Sequence, residues 1–159
     1  MKHLLLLRHA EAEESSHGAG DFDRKLTERG HSEALEAAAG VAATALNIDT
    51  VLASPARRAR DTICIIAARL GLAATIEYEP GLYLGSPDTL LQALRRGRAD
   101  THCALLVGHN PGISELAQQL DGGVHAVALR TAGLCHLTFT HTDWIALGTR
   151  NCSSFVIVR

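Results

Sequence analysis

LLLLRHA, residues 4–10, joins an uninterrupted apolar run to an arginine and a histidine. Four leucines in succession, with no polar residue between them, are typical of a strand that is buried on both faces of a parallel sheet. Such a strand leaves Arg8 and His9 at its carboxyl end, which is the edge where parallel sheets collect ligands. The stretch therefore predicts a buried strand over residues 2–8 and a polar site at its end.

Two further stretches have the same arrangement. ALLVGHNP, residues 104–111, places His109 after a second apolar run, and VLASPARRARDT, residues 51–62, places several arginines after a third. Three strand ends that bring two imidazoles and several guanidiniums to one edge of a sheet predict a site for a phosphoryl group. Because His109 also precedes a predicted helix, the amino end of that helix favours an anion there as well.

Arg58 is the arginine of the third stretch that we expect in this site. Ser54 and Pro55 are typical of a helix start, with Ser54 at the N-cap and Pro55 at the first helical position, so Arg58 falls in the first turn. Helical side chains lean toward the amino end of their helix. The guanidinium of Arg58 is therefore predicted to reach the same edge as the two histidines. Arg57 and Arg60 are predicted to be solvated surface residues.

The composition predicts one domain over residues 1–159, because a chain of this length with 47% hydrophobic residues can bury a sizeable core. A formal net charge of -2 argues against a nucleic-acid partner. The apolar run at residues 4–7 is too short for a signal peptide or a membrane span, so we expect no membrane partner and a cytoplasmic location. The four cysteines form no C-x-x-C pair and are expected to be reduced. The nine histidines include no H-E-x-x-H motif, so no metal site is predicted.

Strand and helix patterns alternate along the first two thirds of the chain. After the strand at residues 2–8, a helix follows LTERG, residues 26–30, with its inward side assigned to Leu35, Ala38, Val41, Ala42 and Ala45. The later predicted elements are strand 50–54, helix 55–70, an extended piece at 75–78, helix 87–96, strand 103–108 and helix 111–120. This alternation predicts an α/β fold with right-handed crossovers.

The last third of the chain has a different pattern. Cys135, Leu137 and Phe139 alternate with polar residues, which is typical of a strand with one exposed face, and residues 144–147 and 154–158 are predicted to be extended. We therefore expect three layers, α/β/α, around a mostly parallel central sheet to which the last third adds antiparallel or edge strands. Residues 15–20, SSHGAG, predict a flexible loop beside the first histidine motif.

Four motifs together resemble the histidine phosphatase superfamily, whose members include the phosphoglycerate mutase-like enzymes. They are LRHAEA at 7–12, DRKLTERG at 23–30, the segment from Ser54 to Thr62, and VGHNPG at 107–112. The motifs stand in the family's order over nearly the whole chain, and the branch that they most resemble is the small phosphohistidine phosphatases of the SixA type. Two positions depart from the pattern: Ala10 stands where the superfamily commonly has Gly, and Lys25 stands where the small phosphatases often have Pro.

The resemblance implies a covalent phosphohistidine intermediate. His9 would attack the phosphorus, Arg8 and Arg58 would hold phosphoryl oxygens, and His109 would donate a further hydrogen bond to them. The residue types suit these roles, because a planar guanidinium matches phosphate oxygens and keeps its charge, and an imidazole with a pKa of about 6.5 is largely neutral and nucleophilic near pH 7. No metal or other cofactor is then expected.

The acid that would protonate a leaving group is not identified by the sequence. Glu11, Glu77 and Glu79 are the candidates, and an exposed carboxylate is the default interpretation of each. A phosphohistidine substrate needs less proton assistance than a phosphate ester, because imidazole is a weaker base than an alkoxide. Lys25 and the loop at 15–23 stand near the expected entrance, as substrate contacts or as plain surface.

Three functions follow from these observations as hypotheses. The first is a metal-independent phosphatase, expected to be a monomer, that acts on a phosphohistidine-bearing protein. The second is a phosphatase of small phosphate esters such as sugar phosphates, and the third is a module that binds phosphate or phosphoprotein without turnover. The short connection between residues 71 and 101 leaves little chain for a lid, which favours the first.

Overall fold

The computed structural model of the protein describes residues 1–15, 20–141, 143–148 and 152–159. The loop predicted at 15–20 therefore lies largely outside the described residues. Strands and helices alternate as expected up to residue 120, and strands follow. The elements are β1 (Lys2–Arg8), α1 (Glu28–Ala43), β2 (Thr50–Ala53), α2 (Arg57–Leu70), β3 (Thr75–Tyr78), α3 (Pro87–Arg95), β4 (Cys103–Gly108), α4 (Gly112–Leu120), β5 (Leu134–Phe139) and β6 (Cys152–Ile157).

The strands form one sheet in the order β3-β2-β4-β1-β5-β6. The pairs β3–β2, β2–β4 and β4–β1 are parallel, and β1–β5 and β5–β6 are antiparallel. The predicted mostly parallel sheet with antiparallel strands from the last third is thus confirmed. Because β1 and β4 are neighbours, with Arg8 opposite Gly108, the two histidine motifs leave the sheet side by side.

Helices cover both faces of the sheet, so the predicted three layers are confirmed. Leu5 and Leu7 of β1 pack in one core with residues of α1 and α2. Leu4 and Leu6, which point to the other face, pack with residues of α3 and α4. The four leucines are fully buried, as expected for a strand in the middle of a sheet that is covered on both sides. No helix among the described residues is long and apolar enough to cross a membrane.

The predicted inward side of α1 was partly wrong. The residues that face the sheet are Ala34, Ala37, Ala38 and Val41, whereas Leu35 is 50% exposed and both Ala42 and Ala45 are exposed. These three alanines and Val41 follow the helical spacing i, i+3, i+4, i+7. Small side chains on this face let the helix approach the sheet closely, so the helix turns its alanines inward and leaves its single leucine in that segment outside.

The type of one segment and the start of one helix also differ from the prediction. Residues 144–147 are not extended: Trp144–Ala146 is a short 3-10 helix, and the buried Trp144 donates from Nε1 to the carbonyl of Thr101 at 2.9 Å. Helix α2 begins at Arg57, with Ala56 rather than Ser54 at the N-cap. Ser54 lies two residues before this N-cap, where its hydroxyl oxygen accepts from the backbone of Ala56 and contacts His109.

The backbone after His9 is fixed by the start of α1. The carbonyl oxygen of Glu11 accepts a hydrogen bond from the backbone of Thr27 at 3.1 Å. It lies so close to Gly30 that a Cβ at that position would stand 2.0 Å from it. Glycine is therefore required at residue 30 for this close approach, which gives a physical role to the last residue of the DRKLTERG motif.

Candidate active site

The four residues predicted for the site line one cavity of about 290 Å³. Arg8 and His9 come from the end of β1, His109 from the end of β4, and Arg58 from the first turn of α2. The backbone N–H of His9 donates to the carbonyl of Gly108 at 3.1 Å, and the centroids of the His9 and His109 rings are 5.0 Å apart. The cavity residues are Arg8, His9, Glu11, Ala12, Asp21, Arg24, Arg58, Leu84, His109, Asn110 and Thr131.

The hydrogen bonds of His9 fix its tautomer. Its Nδ1 lies 2.7 Å from the carbonyl oxygen of Ala10, which can only accept, so Nδ1 carries the proton. Its Nε2 lies 3.2 Å from Nε of Arg58, which can only donate, so Nε2 presents a lone pair. Both contacts require the same tautomer. The acceptor that the sequence alone could not identify is thus the carbonyl of the next residue.

His109 is held in a complementary orientation. Its Nε2 lies 2.7 Å from Oγ of Ser54, and that oxygen accepts from the backbone of Ala56 at 3.2 Å. Ser54 is fully buried and has no other acceptor among the described residues, so its hydroxyl donates to Nε2. The proton of His109 is therefore on Nδ1, a buried atom with no hydrogen-bond partner among the described residues. An unsatisfied buried donor beside a cavity favours an anionic ligand.

Arg8 adds a second unsatisfied donor to this cavity. Its Nη1 donates to the carbonyl of Leu129 at 3.1 Å, while its buried Nε has no partner in the described part of the chain. The carbonyl of Leu129 also accepts from Asn110 at 2.8 Å, which fixes the position of that carbonyl. Within the residues that the structure describes, the guanidinium of Arg8 is therefore anchored through Nη1 and not through Nε.

Burial keeps both histidines neutral. Loss of hydration is the largest cause that lowers the pKa of His9 to about 4, and the charges of Arg58 and Arg8 lower it further, against a smaller raising effect from the Ala10 carbonyl. Burial likewise lowers the pKa of His109 to about 3. An imidazole that is neutral across the physiological range keeps one ring nitrogen unprotonated, as nucleophilic attack requires.

Asp21 is a cavity residue that the sequence analysis missed. It opens a short 3-10 helix, Asp21–Asp23, and contacts Arg58 twice: its carbonyl accepts from Nη1 at 2.7 Å and its Oδ2 accepts from Nη2 at 3.1 Å. The same carboxylate accepts from the hydroxyl of Tyr83 at 2.6 Å and from Arg24 at 2.9 Å. The Tyr83 hydrogen bond is the largest cause that lowers the pKa of Asp21 to about 2.

One signal in the sequence could have pointed to Asp21. Arg58 is 1% exposed, and a buried arginine almost always has an anionic partner. Asp21, two residues before the DRKLTERG motif, is one of the acidic residues that this expectation brings into question. Tyr83, whose pKa is raised by the neighbouring Asp21 carboxylate, follows an irregular segment and gives no such signal.

The three glutamates proposed as acids do not come together. Glu11 lines the cavity, but Thr27 donates to its Oε1 at 2.9 Å and Arg29 lies 3.6 Å from its Oε2. Glu77 and Glu79 line a different and larger cavity of about 550 Å³ between the sheet and α3, where Glu79 pairs with Arg96 at 3.2 Å. Neither of these two lies beside His9.

The other charged residues that the sequence raised lie on the surface. Arg57 is exposed and pairs with Asp61 at 3.6 Å, and the Arg60 guanidinium lies 5.2 Å from the ring centre of Tyr78. Lys25 is exposed and does not line the cavity. Within the described ranges, no group of three or more His, Cys, Asp and Glu side chains is placed to hold a metal ion.

The chain is similar to known proteins over much of its length. The sequence profile of the histidine phosphatase superfamily (branch 1) matches residues 4–83. An uncharacterized protein of Mycobacterium tuberculosis is 36% identical over 127 residues, which are 78% of this chain and 77% of that protein. An uncharacterized protein of Mycobacterium leprae is 34% identical over 102 residues, and the match spans 64% of this chain and 61% of that relative.

The fold is also similar to solved structures. A protein from Agrobacterium tumefaciens, assigned as the phosphohistidine phosphatase SixA, superposes with a TM-score of 0.80 at 27% identity. The superposition covers 98% of this chain and 97% of that one. The similarity therefore extends over the whole sheet and both helical layers.

Proposed function

Since this chain belongs to the histidine phosphatase superfamily, we propose that it is a phosphatase that acts on protein phosphohistidine through a covalent intermediate on His9. Membership of the superfamily and the likeness to the SixA structure support a phosphatase. The finer assignment to phosphohistidine rests on the chemistry of the site. The observation that carries the covalent mechanism is the tautomer of His9, whose Nε2 is unprotonated and lies 3.2 Å from Nε of the buried Arg58.

The proposed reaction has two steps. In the first, Nε2 of His9 attacks the phosphorus of the substrate, the bond from phosphorus to the substrate nitrogen breaks, and the phosphoryl group is transferred to His9. In the second, water attacks the phosphoryl group on His9, inorganic phosphate leaves, and His9 regains its lone pair. Arg8 and Arg58 hold the phosphoryl oxygens in both steps and His109 donates from Nδ1, so charge that develops on these oxygens meets fixed donors.

The carboxylates around the cavity support a nitrogen leaving group over an alkoxide. Asp21, with a pKa lowered to about 2, is ionised at neutral pH and cannot donate a proton. Both oxygens of Glu11 face donors on Thr27 and Arg29. The imidazole of a phosphohistidine leaves as a neutral ring once solvent has protonated its other nitrogen. It therefore does not require an acid from the enzyme, whereas an alkoxide does.

Two guanidiniums at the phosphoryl group provide the positive charge that magnesium provides in other phosphoryl-transfer enzymes. We therefore propose that the activity is independent of added metal. The test is an assay of a phosphohistidine-bearing protein against a panel of phosphate esters, with and without a chelator. The proposal predicts a kcat/KM for the phosphoprotein at least about 100-fold above that for alkyl phosphates, unchanged by chelation.

Other outcomes of this assay would assign a different function. Efficient turnover of sugar phosphates, equal to that of the phosphoprotein, would indicate a phosphatase of small esters. Binding of the phosphoprotein without release of phosphate would indicate a binding module. Loss of activity with the chelator, and its return with a divalent cation, would contradict the proposed role of the two arginines.

The pH dependence of the free enzyme is a separate prediction. His9 attacks only when it is neutral, so activity falls as the pH drops through the pKa of His9. Because burial lowers this pKa to about 4, the ring stays neutral down to about pH 5, whereas an ordinary imidazole would be half protonated near pH 6.5. The ring signals of His9, assigned by their absence in His9→Ala, should show no titration by NMR between pH 8 and pH 5. A midpoint near 6.5 would contradict the prediction.

A further inference from the structure

We propose that Asp21 determines substrate specificity, by placing a fixed negative charge in the phosphoryl cavity that excludes substrates with a second anionic group. The inference rests on the proposed function, since it concerns the same cavity. It adds a substrate class: phosphoryl compounds whose remainder is uncharged near the phosphorus, such as the imidazole of a phosphohistidine. It excludes phosphorylated carboxylic acids and bisphosphates.

The residues that line the cavity carry little net positive charge. Three guanidiniums line it, those of Arg8, Arg24 and Arg58, and two carboxylates, those of Glu11 and Asp21. Burial keeps the two histidines neutral. The net charge of the lining is therefore one positive charge, which a single phosphoryl group already balances or exceeds. A substrate with a further carboxylate would bring uncompensated negative charge to this site.

Asp21 accepts hydrogen bonds from two of the three arginines. Its carboxylate accepts from Nη2 of Arg58 at 3.1 Å and from Nε of Arg24 at 2.9 Å, and its carbonyl accepts from Nη1 of Arg58 at 2.7 Å. The outer edge of the Arg58 guanidinium is thus turned toward Asp21, and its Nε is turned toward His9. Three of the five N–H groups of Arg58 are thus already bonded, and the two that remain suffice for a phosphoryl group but not for a second anionic group as well.

The carboxylate of Asp21 remains accessible from the cavity. Its side chain is 38% exposed, whereas the side chain of its partner Arg58 is 2% exposed. The hydroxyl of Tyr83, at 2.6 Å, holds the carboxylate in place, and Phe22 packs edge-on against the Tyr83 ring at 5.1 Å. A negative charge that is fixed and accessible repels an anionic substituent, because like charges a few ångströms apart interact unfavourably.

An apolar side chain in the lining of the cavity suits an uncharged group. Leu84 lines the cavity, is 56% exposed, and has a positive φ of 50°. A leucine in this backbone conformation is strained, and strained residues concentrate at functional sites. An apolar side chain beside Asp21 provides no partner for a second anion and can contact the ring of a leaving imidazole.

The test compares two non-hydrolysable ligands that differ by one carboxylate. Phenylphosphonate and 4-carboxyphenylphosphonate are titrated into the protein by calorimetry, and the ratio of their Kd values is the readout. The wild-type protein should bind phenylphosphonate more tightly. In Asp21→Asn the Kd ratio should shift toward the carboxylated ligand by about tenfold. A ratio between two ligands does not move when a substitution merely loosens the site for both.

Two variants serve as controls. Asp21→Glu keeps the charge and should keep the wild-type ratio, even if both ligands bind more weakly. Asp23→Asn removes a charge two residues away, from an exposed side chain that has no hydrogen bond or ion pair among the described residues, and should also keep the ratio. An equal shift in Asp23→Asn would show that net charge, rather than the position of Asp21, sets the preference.

The outcomes separate this inference from the proposed function. If neither phosphonate bound to the wild-type protein, the phosphoryl site and the proposed function would both be rejected. If both bound, but the wild-type protein showed no preference or Asp21→Asn kept the wild-type ratio, the role of Asp21 would be rejected and the proposed function would stand.

Discussion

Replacing His9 by alanine is expected to lower the turnover of a phosphohistidine substrate by a factor of about 10⁴ or more, because the variant loses the atom that attacks phosphorus. His109 cannot take over this role. Its Nε2 is occupied by Ser54 and its Nδ1 carries the proton, so it presents no lone pair to the cavity. The loss should therefore be close to complete rather than partial.

The measurement is a rapid-quench experiment with ³²P-labelled substrate, stopped in alkali because phosphoryl-histidine bonds are stable there. The wild-type protein should carry label that alkali preserves and mild acid releases, and His9→Ala should carry none. His102→Ala, which removes an exposed histidine at the other end of β4, is the matched control and should behave as wild type.

Binding of inorganic phosphate separates loss of the nucleophile from loss of the fold. Arg8, Arg58 and His109 remain in His9→Ala, so the variant should bind phosphate with a Kd within about tenfold of the wild-type value. Label on any other residue of the His9→Ala variant would reject His9 as the nucleophile. Turnover equal in the two proteins, with no label on either, would reject the covalent mechanism itself.

The central part of this site could be predicted because it depends on strand ends. An apolar run that ends in Arg8 and His9, and another that ends in His109, must deliver these residues to the same edge if both strands are parallel. The sheet places β1 and β4 next to each other, which brings the rings within 5.0 Å. Arg58 follows by the same argument, since the first turn of a helix begins where the preceding strand ends.

Other parts of the molecule could not be predicted because they depend on tertiary contacts. Asp21 and Tyr83 come from short segments that have no periodic pattern. Only the packing of both against Arg58 places Asp21 in the cavity and Tyr83 behind it. The predicted inward side of α1 was partly wrong because Leu35 was preferred to Ala34 and Ala37 on grounds of size. Trp144 lies in a short helix rather than a strand because its indole N–H is held by the Thr101 carbonyl.

The second large effect is expected at Arg58, where the charge and the shape of the side chain can be tested separately. Arg58 donates through three different nitrogens: Nε to His9, and Nη1 and Nη2 to Asp21. A lysine at this position keeps the positive charge, but its single nitrogen cannot reach His9 and both acceptors of Asp21 at once. Arg58→Lys should therefore lower kcat/KM by about 10²- to 10³-fold, the range typical of a lost transition-state donor.

Arg57→Lys is the matched control, because the neighbouring residue has the same chemistry in a different place. Arg57 is exposed and makes one ion pair with Asp61 at 3.6 Å, so its replacement should change kcat/KM by less than about twofold. Thermal unfolding of both variants checks that the fold is intact.

Exogenous guanidinium should restore part of the activity of Arg58→Ala but none of that of His9→Ala, because it replaces the lost donors and not the nucleophile. Wild-type kcat/KM in Arg58→Lys would show that a point charge is sufficient and that donation from three separate nitrogens is not needed.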